Sequence, residues 1–347
     1  MLKINGNERV LISPLGWGLG HATRLIPIIS DLTERGCSVV IAADLPSNEL
    51  LRIRFPELEY IHFPSINIKL SRRRLKIVRL FQIAIRFFLL TYREHKQIKK
   101  LVKEYMIDIV ISDNRYGLWG ATEQSVLITH QLKILFPAPF KWAEFLGRWY
   151  VKRYAEKYTE CWVPDRPLGF RFSGELSSPR SLPSNIEYIG IQSRFSDIEV
   201  ERVESEWDFV GIVSGPPPQR DIFEQILISI ANRLKLKVLI FQGLPLGPRL
   251  ARTVGNATLV SHLPDDQMAQ AIISAKLLIC RSGYSTIMDL VALNRSAVIV
   301  PTPGQSEQEY LAKYLARHNL FISIPQSRLL SLTLANYRQL ASANKPK

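Results

Sequence analysis

Three glycines, Gly16, Gly18 and Gly20, stand at alternate positions directly before His21 in the stretch LISPLGWGLGHATR (11–24). Glycine has no Cβ, so such a turn brings backbone N–H groups close to whatever lies above it. An imidazole at the end of that turn suits proton transfer from a hydroxyl near neutral pH. His21 is therefore either a general base or a helix-start histidine that only hydrogen-bonds the turn. A second polar group follows an apolar run at Asp113, Asn114 and Arg115, and a third at His130 and Gln131. Asp113 is a second candidate base; its plainer roles are a helix cap or the ion-pair partner of Arg115.

The other group lies in the second half, in CRSGYSTIMDL (280–290). Ser282 and Gly283 form a turn after an apolar strand, and Ser285 and Thr286 can cap the next helix. A helix N-terminus attracts anions, a diphosphate included. Asp289 sits one turn further on, where a carboxylate can accept hydrogen bonds from sugar hydroxyls. After a second strand and a Pro-Gly loop come Gln305, Glu307, Gln308 and Glu309, whose side chains suit sugar hydroxyls too. Upstream, SGPPPQR (214–220) offers Ser214, Gly215, Gln219 and Arg220 to phosphate, stiffened by three prolines. Arg220 and Arg281 are the cations that could balance a leaving diphosphate.

These groups need a frame that collects them. Short apolar runs at 10–12, 39–43, 108–113, 125–129, 160–164 and 186–190 read as strands. A helix with Leu25, Ile28, Ile29 and Leu32 on one face lies between the first two, with Gly36 as its stop. The alternation restarts after a charged stretch, with strands at 207–213, 237–242, 277–280, 297–301 and 320–324. Leu259 and Val260 can pair as a further strand. Helices fall at 221–234, 265–275, 286–293 and 307–318. Buried strands alternating with helices predict parallel sheets. At 347 residues the chain is too long for one ordinary core. The expected layout is two doubly wound, Rossmann-like domains, at 1–194 and 207–325. A linker at 195–206 joins them, and a tail helix at 326–347 packs back on the N-terminal domain.

A dinucleotide site competes for the first turn, because Asp44 ends the second strand about where an acidic residue holds a ribose. The spacing is wrong for it: G-x-G-x-G-H lacks the third glycine of G-x-G-x-x-G. The second half decides. R-S-G-x-S-T-x-x-[DE]-L, then A-x-x-V-P-x-P, then a Gln-rich helix start resembles the C-terminal half of MurG-like glycosyltransferases. The first turn resembles the same family's G-G-x-G-G-H loop, so the likeness spans most of the chain. That resemblance implies a GT-B fold and an inverting, metal-independent transferase without a cofactor, using a nucleotide-diphosphate sugar, usually a UDP-sugar. It places Ser282 and Gly283 at the diphosphate, Asp289 where the family has a glutamate on the ribose, and Gln308 at the donor sugar with Glu309 beside it. It places His21 in the loop facing the reaction centre. Asp289 is one methylene shorter than that glutamate.

Charge points to an acidic partner. Lys and Arg number 45 against 31 Asp and Glu, a net of +14. Twelve of the basic residues crowd between Lys69 and Lys103, where Glu94 is the one acid. Arg72, Arg79, Arg86 and Arg93 recur every seven residues, interleaved with apolar side chains that include Phe87 and Phe88. This pattern reads as a basic amphipathic helix at an anionic membrane surface, or as a helix packed on the sheet with a solvated basic face. A second aromatic stretch, 136–150, joins the same surface or lines the acceptor pocket. No recognition signature for nucleic acid is present.

The opening residues hold no apolar signal core, and the three scattered cysteines suit a reducing compartment. The expected place is cytoplasmic, peripheral at the inner face of the cell membrane. The expected reaction moves a sugar, N-acetylglucosamine or a similar hexose, from a UDP-sugar to a lipid-linked or surface-glycan acceptor. A nucleotide-sugar epimerase of the same fold and a nonenzymatic nucleotide-sugar-binding protein are the alternatives.

Overall fold

The computed structural model describes residues 4–343, except Trp17, 65–76, Pro137, Arg180, Val200, Arg202, Val203, Ser205, Leu246 and 248–250. The side chains of 77–84, Ala138 and Pro139 are likewise outside the described set.

The N-terminal domain runs β1 (Arg9–Pro14), α1 (Gly20–Thr23), α2 (Ile26–Glu34), β2 (Ser38–Ala43), α3 (Ser47–Arg54), β3 (Glu59–His62), α4 (Ile77–Glu104), β4 (Ile109–Asp113), β5 (Gln124–Ile128), α5 (Glu144–Ala155), β6 (Glu160–Val163) and β7 (Ile186–Tyr188). Its strands lie in the order β3-β2-β1-β4-β5-β6-β7, every neighbour pair parallel. The sheet is buried on both faces. Val10, Ile12, Val39 and Ile41 pack with α2 and α3, while Leu11, Val40 and Val110 face a second cluster that includes Ile98 of α4 and Val151 of α5. That two-sided burial is why the strands read as unbroken apolar runs. Gly36 takes φ +88° just after α2, where a side chain would be strained.

The C-terminal domain repeats the plan: β8 (Phe209–Ile212), α6 (Gln219–Leu234), β9 (Val238–Phe241), β10 (Arg252–Val254), β11 (Ala257–Val260), α7 (Asp265–Ser274), β12 (Leu277–Cys280), α8 (Tyr284–Ala292), β13 (Val298–Ile299), α9 (Ser306–Arg317), β14 (Ile322–Ser323), α10 (Gln326–Leu329) and α11 (Leu334–Ala343). Its order is β10-β11-β9-β8-β12-β13-β14; among the described residues β10 runs antiparallel to β11 and the other neighbour pairs are parallel. The expected α/β fold of two doubly wound domains is thus the observed one. The sequence reading missed α3, β3, α5 and β10. Of these, β3 buries a single side chain, Ile61, and β10 buries none, so neither carries an apolar run.

Two boundary expectations need correction. Phe195, taken as the start of a linker, is buried among Val210, Ile212 and Met268 of the C-terminal core. Through Ala343 the described part of the tail packs on the C-terminal core. Tyr337 of α11 packs with Phe209, Phe223 and Leu329, and its hydroxyl donates to the Asp208 carbonyl at 3.0 Å.

In each sheet the strand order reverses beside the first strand, between β1 and β4 and between β8 and β12. Parallel strands open a crevice at their carboxyl ends at such a point. The turns after β1 and β4, and those after β8 and β12, carry the residues singled out above.

Candidate functional site

The two crevices face each other, and named contacts close them. Ser285, in the first turn of α8, donates its hydroxyl to the Gly20 carbonyl at 2.8 Å. A Cβ on Gly20 would lie 2.8 Å from Ser285 Oγ, so the turn needs glycine there for the domains to meet. Tyr284 OH donates to the Pro164 carbonyl at 2.7 Å. His130 stacks flat on the Tyr284 ring, 4.1 Å between centroids and 7° between planes.

His21 and Asp113 come together across 92 positions, Nδ1 to Oδ2 at 3.2 Å. Asp113 is fully buried at the end of β4. Burial alone would raise its pKa, but the Arg24 guanidinium and His21 outweigh that and hold it below the usual aspartate value. Arg24, buried and absent from the sequence-level candidates, forks onto the same carboxylate. Nε reaches Oδ2 at 2.8 Å and Nη2 reaches Oδ1. The same guanidinium meets His130 Nδ1 at 2.9 Å and His21 Nδ1 at 2.9 Å. His130 in turn reaches Glu307 Oε1 of α9 at 2.9 Å through Nε2, and Gln131 donates to the other oxygen. Burial pushes the His130 pKa down and favours the neutral ring. Glu307 is held low: its own burial is outweighed by His130, His21 and Arg24.

Several expected members are bonded within their own domain. Arg115 is buried, donating to Glu94 Oε1 at 2.9 Å, Ser13 Oγ at 3.2 Å and the Pro64 carbonyl at 2.6 Å, and lying over Phe63. It holds the turn after β4 to the sheet and is not Asp113's partner. Asn114, at φ +58°, accepts from Thr129 Oγ1 at 2.9 Å. Arg281 is fully buried, donating to the carbonyls of Val300 and Gln219 and to Gln326 Oε1 at 2.7 Å, over the ring of Phe223. Desolvation lowers its pKa to about 10. Its donors point into the domain rather than toward a diphosphate. Glu309 closes the Pro-Gly loop, accepting from Gly304 N–H at 2.8 Å. Asp44 accepts from Leu45 N–H at 2.8 Å, closing its own turn.

Gly283 is the residue before α8, extended at φ −76° and ψ 139°, with no side chain capping the helix. The first-turn N–H groups therefore lack the side-chain acceptor expected from Ser285, which bonds Gly20 instead, or from Thr286. A Cβ on Gly283 would meet only Thr286 Oγ1, at 3.9 Å, so the backbone is open to approach. Ser282 Oγ donates to the Gln308 carbonyl at 2.9 Å, tying this turn to α9. Gln308 is buried and its Oε1 accepts from Thr302 N–H at 2.9 Å. Gln305 is exposed at the start of α9. Ser214 and Gly215, the latter at φ +94°, form the loop after β8. Arg220 in the first turn of α6 reaches its neighbour Asp221, at 2.9 Å. Asp289 is buried, accepting from Ser193 Oγ at 2.6 Å with Arg194 Nε at 3.5 Å. Burial raises its pKa against the pull of Arg194 and Ser193.

Away from the cleft, α4 and α5 pack through Phe87 and Phe88 against Tyr150, with ring centroids 5.5 and 5.3 Å apart. Ile85, Phe88, Leu89 and Tyr92 of α4 are exposed, as are Phe145, Leu146 and Trp149 of α5. Arg86 and Arg93 are exposed beside them. Arg72 and the Arg79 side chain lie outside the described residues. Among the described residues no helix is long and apolar enough to cross a membrane.

Comparison with known proteins agrees with this architecture. The glycosyltransferase family 28 C-terminal domain matches residues 257–347. The UDP-N-acetylglucosamine–N-acetylmuramyl-(pentapeptide) pyrophosphoryl-undecaprenol N-acetylglucosamine transferase of Actinobacillus pleuropneumoniae serotype 5b is 29% identical over 262 residues, covering 72% of this chain and 68% of that protein. An uncharacterized glycosyltransferase of Methanosarcina acetivorans is 24% identical over 314 residues, 87% of this chain and 81% of the relative. Among solved structures, Acinetobacter baumannii MurG superposes with a TM-score of 0.52 at 16% identity, covering 97% of this chain and 93% of that one. The glycotransferase of kitacinnamycin gives 0.62 at 13% identity, covering 99% and 92%. The epimerase and nonenzymatic readings give way. The chain is a glycosyltransferase of GT-B fold that is similar to MurG-type enzymes, and its residues 257–347 match the family 28 C-terminal domain.

Proposed function

We propose that the enzyme transfers N-acetylglucosamine or a similar hexose from a UDP-sugar to a lipid-linked or surface-glycan acceptor, with inversion and without a metal. It works as a peripheral protein at the cytoplasmic face of the membrane. One observation carries the reading. The Ser285–Gly20 hydrogen bond sets the open N-terminus of α8 beside the residue that precedes His21. A candidate anion site and a candidate base thereby share one cleft.

The chemistry is a single displacement. His21 Nε2 takes the proton of the acceptor hydroxyl, whose oxygen attacks the anomeric carbon. The bond from that carbon to the diphosphate breaks, and its electron pair leaves with UDP. Asp113 stays ionised and stabilises the imidazolium that forms. The first-turn N–H groups of α8, with Ser282 and Gly283, receive the developing diphosphate charge; one such preorganised donor is worth about 3 kcal/mol. Ser214, Gly215 and Arg220 close over the phosphates, and Gln305 and Gln308 contact the sugar. The relatives named as UDP-N-acetylglucosamine transferases acting on a pyrophosphoryl-undecaprenol support the choice of donor and acceptor. The exposed aromatic and basic face of α4 and α5 supports the membrane surface.

The test is UDP release from UDP-N-acetylglucosamine with a polyprenyl-pyrophosphoryl glycan acceptor in anionic vesicles. Release that depends on acceptor, with a β-linked product from the α-linked donor, is the expected result. Acceptor-independent release, or a retained configuration, contradicts it.

A further inference from the structure

Arg24 lies three residues after His21 and is 3% exposed. It serves three side chains from separate parts of the fold. It forks onto Asp113 at the end of β4, meets His130 Nδ1 after β5 at 2.9 Å, and meets His21 Nδ1 on its own turn at 2.9 Å. A guanidinium has donors and no acceptor. The His130 Nδ1 facing it must therefore be a bare lone pair. A neutral imidazole then carries its hydrogen on Nε2, and that atom faces the Glu307 carboxylate at 2.9 Å. The two ends of the His130 ring are fixed from opposite domains, and the flat stack on Tyr284 holds its plane.

We propose that Arg24 is a positioning residue for the transfer reaction: it fixes His130 as the Nε2–H tautomer and so joins Glu307 of the C-terminal domain to the carboxylate that orients His21. The chain of contacts runs Glu307, His130, Arg24, Asp113, His21. The first link, Glu307 to His130, joins the two domains, and the other three lie within the N-terminal domain.

The consequence for His21 follows from its neighbours. Its Nδ1 sits 2.9 Å from Arg24 Nη2, a donor, and 3.2 Å from Asp113 Oδ2, an acceptor. With Nδ1–H turned to Asp113, the Nε2 lone pair is free to take a hydroxyl proton. With Nδ1 bare toward Arg24, Nε2 already carries a proton and cannot act as base. The placement of Arg24 sets the balance between these forms. His130, held by Glu307, fixes that placement through Nη1. The charged groups facing this cluster are Arg24, Asp113 and Glu307, from the turn after α1, from β4 and from α9. Tyr116 and Tyr284 adjoin it as neutral phenols, their pKa values pushed up by burial. Two carboxylates face one guanidinium, so a proton arriving on His21 brings the cluster to neutrality. The proposal rests on His21 as the base, but its structural core does not depend on the identity of the donor.

The experiment is nitrogen-15 correlation spectroscopy of the full chain labelled at histidine, with the His21 and His130 signals assigned from His21→Gln and His130→Gln spectra. At pH 7.5 the wild-type His130 is expected to show a pyridine-type Nδ1 and a pyrrole-type Nε2. Arg24→Met loses that pattern, and the two nitrogens average. Glu307→Gln retains it, because the amide oxygen still accepts from Nε2–H. With UDP-N-acetylglucosamine as donor, Arg24→Lys keeps the charge without the fork. Its kcat falls on the order of 10²-fold, as for other small misplacements, while the donor KM holds. A wild-type His130 protonated on Nδ1, or an Arg24→Met spectrum with His130 unchanged, overturns the proposal. If Arg24→Met does not fold, the wild-type tautomer and the Arg24→Lys spectrum decide it. Should UDP-sugars prove inactive, the spectra still decide the Arg24 assignment separately from the donor.

Discussion

Gly20 and Ser285 meet across the domain interface, the serine hydroxyl donating to the glycine carbonyl at 2.8 Å with no room for a Cβ on the glycine side. Gly20→Ala is expected to push the two turns apart and lower transfer, with each domain's own stability little changed. Ser285→Ala in the same chain removes the clashing Oγ and leaves the Cβ at 3.1 Å, so the double variant recovers part of the loss. Initial rates for the four chains of this double-mutant cycle measure the coupling. Strict additivity would place the two residues apart.

Asp113 and Arg24 form a fully buried pair. Asp113→Asn leaves the guanidinium without its charge partner, which typically costs about 3–5 kcal/mol at neutral pH. The Asp113 pKa is depressed, so the stability it contributes is complete above the ordinary aspartate value, near 3.9, and is lost as pH falls through its folded value. Denaturant unfolding from pH 7 to pH 3 therefore falls less steeply in Asp113→Asn than in the wild type. His21→Ala keeps the Arg24 share of that acid limb and is expected to reduce kcat by about 10²–10⁴-fold, the span of general base catalysis.

Asp289 has the opposite sign. Its pKa is raised by burial, so its favourable contribution is present below the ordinary aspartate value and is lost as pH rises through the folded one. Asp289→Asn keeps an oxygen for Ser193 Oγ and removes the buried charge. It is expected to stabilise the protein at pH 7 by about 0.5–2 kcal/mol, the range of typical stabilising substitutions. If Asp289 also holds the donor ribose, the same variant binds UDP-sugar more weakly. Thermal unfolding and donor titration on one preparation read both effects.

Arg86 and Arg93 flank the exposed apolar face of α4. Each basic residue near an anionic bilayer is worth about 1 kcal/mol. Arg86→Glu with Arg93→Glu is expected to weaken binding to anionic vesicles by more than about 30-fold, twice that energy plus the repulsion of the new charges. Trp149→Ser weakens binding at high salt as well, because its contribution is apolar. Equal sedimentation of the variants and the wild type with vesicles would contradict the surface assignment.

The strands could be read in the sequence because parallel sheets buried on both faces leave continuous apolar runs, as at Val10–Leu11–Ile12. The edge strands β3 and β10 bury little and left no such mark. The glycine turn, His21 and the α8 start were legible from residue type and spacing. The arginines were not. Arg24, Arg115 and Arg281 look alike in a basic chain. Only the fold shows that Arg115 is taken by Glu94, that Arg281 is spent on backbone carbonyls, and that Arg24 stands between Asp113 and two histidines. His130 and Glu307 are 177 positions apart, so their pairing exists only once the two domains close.

The measurement that bears most directly on the glycosyltransferase reading is thermal unfolding with UDP-, GDP- and TDP-sugars in parallel. A ligand bound to the folded chain stabilises it by about 2.7 kcal/mol at a hundredfold excess over Kd. UDP-N-acetylglucosamine or another UDP-hexose is expected to raise Tm by several degrees, and GDP-sugars to leave it unchanged. A chain whose Tm no nucleotide sugar moves would contradict the account.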